Sequence, residues 1–233
     1  MSLSDLSPPA AVPRAGKHPI RVGVLVSGNG SNLQSIIDHA EAGRIPATVA
    51  CVISNKAGAY ALERARNHSI PNTVLDHRDF PDRESYDAAM AGILRENGVE
   101  LVALAGFNRI VSKVMLDAFP LAILNIHPAL LPAFPGNHAQ RQAVEHGVKI
   151  AGCTVHFVDA GTDSGPIIAQ AAVPVFTSDN EETLSRRILQ EEHKIYPEVI
   201  RLYAEGRIRV AGRQVLISPA HEPDGRFLEN PPL

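Results

Sequence analysis

Residues 20–43 read IRVGVLVSGNGSNLQSIIDHAEAG, and the fold class follows from this stretch. Its first seven residues form an apolar run rich in β-branched side chains. SGNGSN follows at once, and then a segment whose apolar residues recur at helical spacing. The order is strand, tight turn, helix. Downstream the unit recurs in outline. ATVACVIS (47–54) reads as a strand followed by a helix over about 59–68, and NTVLD (72–76) as a short strand followed by a helix over about 82–97. VELVALAG (99–106) is the next strand. Strands alternating with helices predict a parallel sheet with right-handed crossovers.

The second half opens with a short helix near 111–118 and a buried strand, AILNIHP, stopped by Pro128. Pro128, Pro132 and Pro135 then precede Gly136, which describes a long shaped loop. A helical stretch near 139–146 leads to IAGCTVHFV (150–158) and PIIAQAAVPVF (166–176), joined by the polar DAGTDSG as a hairpin that extends the sheet. Over 181–203, Leu184, Ile188, Leu189, Ile195, Val199, Ile200 and Tyr203 fit one face of a long helix, with Ser178 or Asp179 as its cap. RIRVAGRQVLI (207–217) forms a hairpin about Ala211-Gly212. There is no internal repeat and no composition break. The expected layout is a disordered leader over 1–19, one domain over 20–217 and a loose tail over 218–233.

Composition narrows the function. The chain has 233 residues, 45% hydrophobic and 20% charged, an ordinary globular balance. A net charge of −3 lacks the basic surplus of a nucleic-acid binder, so small molecules are the expected partners. Cys51 and Cys153 each sit in an apolar β-like run, which excludes a disulfide framework and reads as two buried thiols. No apolar run is long enough to span a membrane, and the Pro-rich start does not spell a signal peptide. A soluble, cytoplasmic protein is expected.

Three features carry candidate chemistry. Gly28-Asn29-Gly30-Ser31-Asn32 lies where a strand hands over to a helix, so free N–H groups and the positive end of the helix dipole suit a phosphate. The dinucleotide fingerprint fails at Leu33 and at Ser54-Asn55-Lys56, and no P-loop is spelled. A tight turn needing glycine for steric reasons alone remains the alternative. Asn125 and His127, two apart on a strand, share a face near the sheet edge where open α/β folds bind ligands, and suit a developing oxyanion. A structural, hydrogen-bonded histidine is the plainer reading. Asp163, in the loop 159–165, can reach the same edge and charge a histidine, or is a solvated turn residue. His138, His146, His156 and His193 spell no zinc pair, and no G-x-S-x-G elbow occurs.

Taken together, VLVSGNGSNLQSII, ISNKAGAYALERA, LAGFNRIVS, LNIHPALLPAFPG, HFVDAGTDSGPII and EEHKIYPEVI resemble the phosphoribosylglycinamide formyltransferases of purine biosynthesis, over about 20–217. The resemblance implies a single Rossmann-like α/β domain with a mostly parallel twisted sheet, helices on both faces, a C-terminal hairpin and the long helix. It implies 10-formyltetrahydrofolate as formyl donor, glycinamide ribonucleotide as acceptor and no metal, in a monomer or homodimer. By the same resemblance Asn125, His127 and Asp163 are the catalytic trio. Gly30, Ser31 and Asn32 hold the acceptor's phosphate, and Glu192 its ribose or glycinamide end. Arg83, Asn108, Arg109, Ile110 and Val111, with Asn125, line the folate side. The chain departs from the family's common spelling at Asn108, where methionine is familiar, and at Gln140, where a second histidine is expected after His138. The implied mechanism is attack of the glycinamide amine on the formyl carbon, with a protonated His127 and the Asn125 amide stabilising the oxygen and Asp163 supporting His127. A nucleotide-binding module without transfer activity, and a hydrolase releasing formate from the same donor, are the competing readings.

Overall fold

The computed structural model describes residues 10–12 and 19–219. Strand β1 is Ala10–Ala11, and the first βαβ unit is β2 (Ile20–Val26), α1 (Ser31–Glu41) and β3 (Ala47–Ser54). It continues through α2 (Tyr60–Asn67), β4 (Asn72–Val74), α3 (Arg83–Glu96), β5 (Leu101–Leu104), α4 (Lys113–Ala118) and β6 (Ile123–His127). The remainder is α5 (Ala139–Glu145), β7 (Ile150–Phe157), β8 (Ile167–Pro174), α6 (Glu181–Ala204), β9 (Ile208–Ala211) and β10 (Gln214–Ile217).

Seven strands form the main sheet in the order β4-β3-β2-β5-β6-β7-β8. From β4 to β6 every pairing is parallel, while β6–β7 and β7–β8 are antiparallel. The expected parallel sheet extended by a hairpin is therefore present. Consecutive strands step away from β2 in one direction as far as β4, and the chain then crosses back to β5 on the other side. Right-handed crossovers accordingly put α1 and α2 on one face and α3 and α4 on the other. In keeping with this, α1 packs on α6, and α3 on α4. The reversal between β2 and β5 opens a crevice at their C-terminal ends, the place where such sheets bind ligands.

The core is buried on both sheet faces, which explains why the central strands read as unbroken apolar runs. Val22, Val24, Leu25, Val26, Leu101, Val102, Ala103 and Leu124 are all completely buried. Burial also pushes the Cys51 thiol up to about 11 and that of Cys153 to about 12, so both behave as packed apolar groups rather than nucleophiles.

Two expectations need correction. The leader is not featureless: Ala10 and Ala11 pair antiparallel with Val210 and Arg209 of β9, and Val12 is buried. An edge strand offers unpaired backbone groups to any passing chain, and a two-residue strand is too short to leave a periodic signal; the rest of 1–18 lies outside the described residues. The cap of α6 is Asn180 rather than Ser178 or Asp179. Its side chain accepts from the Thr183 N–H while the Thr183 hydroxyl accepts from the Asn180 N–H, each at 3.0 Å. Asp179 pairs with Arg187 instead, at 2.7 Å. At the other end of the domain, Ser218 is still tied to Arg207 by two hydrogen bonds. Residues 220–233 of the expected tail lie outside the described residues.

Candidate functional site

A cavity of about 630 Å³ occupies the crevice. Its walls come from the turn after β2, the segment after β5, the end of β6, the loop before α5, the loop between β7 and β8, and α6. Gly30, Ser31, Asn32, Asn108, Arg109, Ile110, Val111, Asn125, His127, Asp163 and Glu192 all line it. Of the residues singled out from the sequence, Arg83 alone is not brought there. It stands exposed at the start of α3, with its guanidinium 3.6 Å from Glu84.

The turn after β2 has the character its spelling predicts, together with a steric requirement. Gly30 caps α1 at φ +76 in the left-handed region, with no side-chain cap, and no acidic residue sits in the first turn. The first turn of α1 lines the cavity and carries no acidic residue of its own, so its free N–H groups and the helix dipole suit an anion. A Cβ on Gly30 would lie 2.5 Å from the Ala61 Cβ and 2.9 Å from its Cα. The steric reading of the loop is met, since only glycine fits there. Behind it, the Arg64 guanidinium donates to the Asn29 carbonyl at 2.9 Å and to the Asn29 side-chain oxygen at 3.0 Å.

Asn125 and His127 point to one face at the end of β6, and Asp163 reaches both. One Asp163 oxygen accepts from the Asn125 amide at 3.2 Å; the other accepts from the Gly136 N–H at 2.8 Å and lies 3.4 Å from His127 Nδ1. Burial works against the Asp163 carboxylate. The neighbouring imidazoles of His156 and His127 and the Gly136 N–H outweigh it, and the carboxyl is held below its usual range. The His127 ring is fixed from behind, because Nε2 donates to the Phe134 carbonyl at 2.8 Å. A carbonyl only accepts, so Nε2 carries a proton there, and Nδ1 is the nitrogen that faces Asp163.

Sequence reasoning passed over His156, weighing it only as a zinc ligand. It stands opposite Asn125 in the β6–β7 register. Its Nδ1 donates to the Phe157 carbonyl at 2.8 Å, which leaves Nε2 to accept from the Asn125 amide at 3.1 Å. Both N–H bonds of the Asn125 amide are therefore committed, one to His156 and one to Asp163. The expectation that this amide is a ready donor for an oxyanion needs amending: it must give up one of two contacts, both longer than the usual 2.9–3.0 Å. The only signal for His156 was its place on the neighbouring strand, which pattern reading could not align residue by residue.

The proline loop is shaped as expected. Thr154, fully buried, accepts from the Leu131 N–H at 3.0 Å and donates to the Ala129 carbonyl at 2.6 Å. Phe134, His138 and Asp163 each adopt positive φ, a cost of about 1–3 kcal/mol apiece that clusters at functional sites.

Glu192 occupies the buried stripe of α6 between Ile188 and Tyr196, where helical spacing calls for an apolar residue. The Tyr196 hydroxyl donates to the carbonyls of Leu104 and Leu124, each at 3.1 Å, which pins α6 over the ends of β5 and β6. Glu192 accepts from the Asn32 amide at 2.7 Å, and the Asn32 Oδ1 is buried with no partner. Burial raises the Glu192 carboxyl above its ordinary value, and the Asn32 bond only partly opposes this. A group with a raised folded-state pKa favours the fold below its unfolded value and loses that contribution as pH rises through the folded value. Glu192→Gln should therefore leave stability unchanged in acid and raise it as pH climbs above about 4.5, the ordinary carboxyl value. Thermal unfolding of both proteins across pH checks this, and parallel curves would refute it.

Among the described residues no group of three or more His, Cys, Asp or Glu side chains is placed to hold a metal, and no helix is long and apolar enough to cross a membrane.

Residues 20–200 match the formyl transferase family. The chain is 46% identical over 187 residues to the phosphoribosylglycinamide formyltransferase of Escherichia coli K12, covering 80% of this chain and 88% of that protein. It is 49% identical over 191 residues to the trifunctional purine biosynthetic protein adenosine-3 of Drosophila pseudoobscura pseudoobscura, covering 81% of this chain and 14% of that protein. The chain therefore spans between about a seventh and a fifth of the length of the trifunctional relatives. The crystal structure of glycinamide ribonucleotide transformylase 1 from Symbiobacterium toebii superposes with a TM-score of 0.86 at 60% identity, over 87% of this chain and 95% of that one.

Proposed function

Since the chain belongs to the formyl transferase family, we propose that it is a phosphoribosylglycinamide formyltransferase. It moves the formyl group of 10-formyltetrahydrofolate to the amine of 5′-phosphoribosylglycinamide, a step of de novo purine biosynthesis. The observation that carries this reading is one cavity holding, side by side, an unoccupied-by-acid helix start at Gly30 to Asn32, a buried carboxylate at Glu192 and the Asn125–His127–Asp163 cluster.

The acceptor's phosphate sits at the start of α1 and its polar body reaches Glu192, which places the amine toward Asn125. The folate lies against the 106–111 segment. As the amine attacks, charge collects on the formyl oxygen, where a proton on His127 Nδ1 stabilises it. The Phe134 carbonyl keeps the ring oriented, and Asp163, ionised because its carboxyl is held low, stabilises the positive imidazole. The Asn125 carbonyl oxygen, with both its N–H bonds committed elsewhere, accepts from the incoming amine. The proton lost by the amine is handed through the Asp163–His127 pair to N10 as the C–N10 bond breaks, so tetrahydrofolate departs with N10 protonated and the pair is restored. No covalent enzyme intermediate is needed.

The direct test is release of tetrahydrofolate with and without glycinamide ribonucleotide. Release that requires the acceptor is expected; fast formate release from the donor alone would identify a hydrolase, and binding without turnover a non-catalytic module. On the same reading, Glu192→Gln should raise the acceptor KM roughly tenfold to a hundredfold, the worth of a charged hydrogen bond, while the folate KM stays put. The reading also carries a cytoplasmic location and a monomer or homodimer, which cell fractionation and light scattering check.

A further inference from the structure

We propose that Ser27 is the positioning residue of the folate-side wall, its hydroxyl acting as a pivot, oriented by Asn55, that holds the backbone of Asn108. The proposal rests on the reading that folate lies against residues 106–111. Ser27 is the last residue before the glycine turn and is 4% exposed; Asn55 follows β3 and is 5% exposed. The Ser27 hydroxyl donates to the Asn55 side-chain oxygen at 2.7 Å and accepts from the Asn108 N–H at 2.9 Å. The Ser27 N–H donates to the Gly106 carbonyl at 2.9 Å.

A hydroxyl has one proton and two lone pairs. Because Asn55 takes the proton, the lone pairs are turned toward the Asn108 N–H, and the direction of the whole contact is set. Within the segment, the Asn108 N–H is held by the Ser27 hydroxyl across the crevice. Asn108 and Ile110 are exposed and line the cavity, while buried Phe107 and Val111 anchor the segment by packing and the Arg109 guanidinium stands 5.2 Å over the Tyr86 ring. Backbone groups that read a flat ligand must be held in place before it arrives, because ordering them on binding subtracts from affinity. Ser27 supplies that order from the opposite side of the strand-order reversal, where sequence separation from Asn108 is 81 residues.

Ser27→Ala leaves the Asn108 N–H without its partner. The expected result is faster hydrogen exchange across 106–111 in the free enzyme, a folate-donor KM raised roughly tenfold, and an acceptor KM and kcat changed less than about threefold. Ser27→Thr, which keeps the hydroxyl, should restore the donor KM. Asn55→Ala removes only the orienting acceptor and should move the donor KM in the same direction by less; it carries the test should Ser27→Ala fold poorly. A generally loosened protein would raise both KM values together. Unchanged exchange and donor KM in Ser27→Ala, or equal rises in both KM values, would overturn the proposal. Exchange mapping of the wild-type enzyme with a folate analogue separates the two levels. Protection of 106–111 with no effect of Ser27→Ala leaves the folate reading standing and removes Ser27. No protection there removes both.

Discussion

His127→Ala is expected to lower kcat by roughly 10²–10³, the cost of losing one preorganised oxyanion donor, while the KM for each substrate changes little. The residue is 5% exposed and touches Asp163 and the Phe134 carbonyl, so its loss leaves the turn at Gly30 and the 106–111 wall untouched. Asp163 keeps its bonds from Gly136 and Asn125 in the variant. Asp163→Asn should cost less in kcat, since the amide oxygen can still accept from Gly136, but its NH2 end turns a donor toward His127 or toward the Asn125 amide. The pH dependence separates the roles. Asp163, held below its ordinary value of 3.8, stays ionised above that pH, so any fall in kcat/KM between about pH 5 and 7 belongs to another group and should persist in the Asp163→Asn protein. Its support of the fold follows the same sign: a lowered carboxyl contributes stability above its unfolded value and loses it as pH drops through the folded one. Steady-state kinetics and thermal unfolding across pH 3–8 read both. An unchanged kcat for His127→Ala would end the assignment.

Gly30→Val should fail as a protein before it fails as an enzyme. The left-handed φ of +76 costs an ordinary residue about 1–2 kcal/mol, and a β-branched one more. The side chain would also drive into the Ala61 backbone, with overpacking worth about 1–3 kcal/mol. The melting temperature is expected to fall by roughly 5–15 °C, so a raised acceptor KM in this variant says nothing about phosphate. Gly28→Ala isolates the ligand effect. A Cβ there meets nothing within 4 Å, and the residue lines the cavity. The variant should keep its melting temperature, and its acceptor KM should rise severalfold with the donor KM unmoved. An unaltered acceptor KM would take the turn out of phosphate binding.

The strand–turn–helix reading of residues 20–43 transferred almost intact to β2, the Gly30 turn and α1 because each is fixed by local physics. An apolar run buried on both sheet faces, a left-handed turn open to glycine and a 3.6-residue period all act within a few positions. The same holds for Asn125 and His127, whose shared face follows from the two-residue period of one strand, whereas Glu192 was named only through the family resemblance. The catalytic trio and the two substrates came from resemblance to a family, not from periodicity. What the sequence left open is whatever depends on pairing between distant segments. His156 meets Asn125 only through the β6–β7 register, Ser27 meets Asn108 across 81 residues, and Ala10–Ala11 find a partner only because β9 presents an edge. Even the hydrogen-bond direction of the Asn125 amide was set by two acceptors, one on β7 and one in the loop after it. Local propensity fixes which elements form, but a hydrogen bond has a range near 3 Å, and only the packed sheet brings these residues within it.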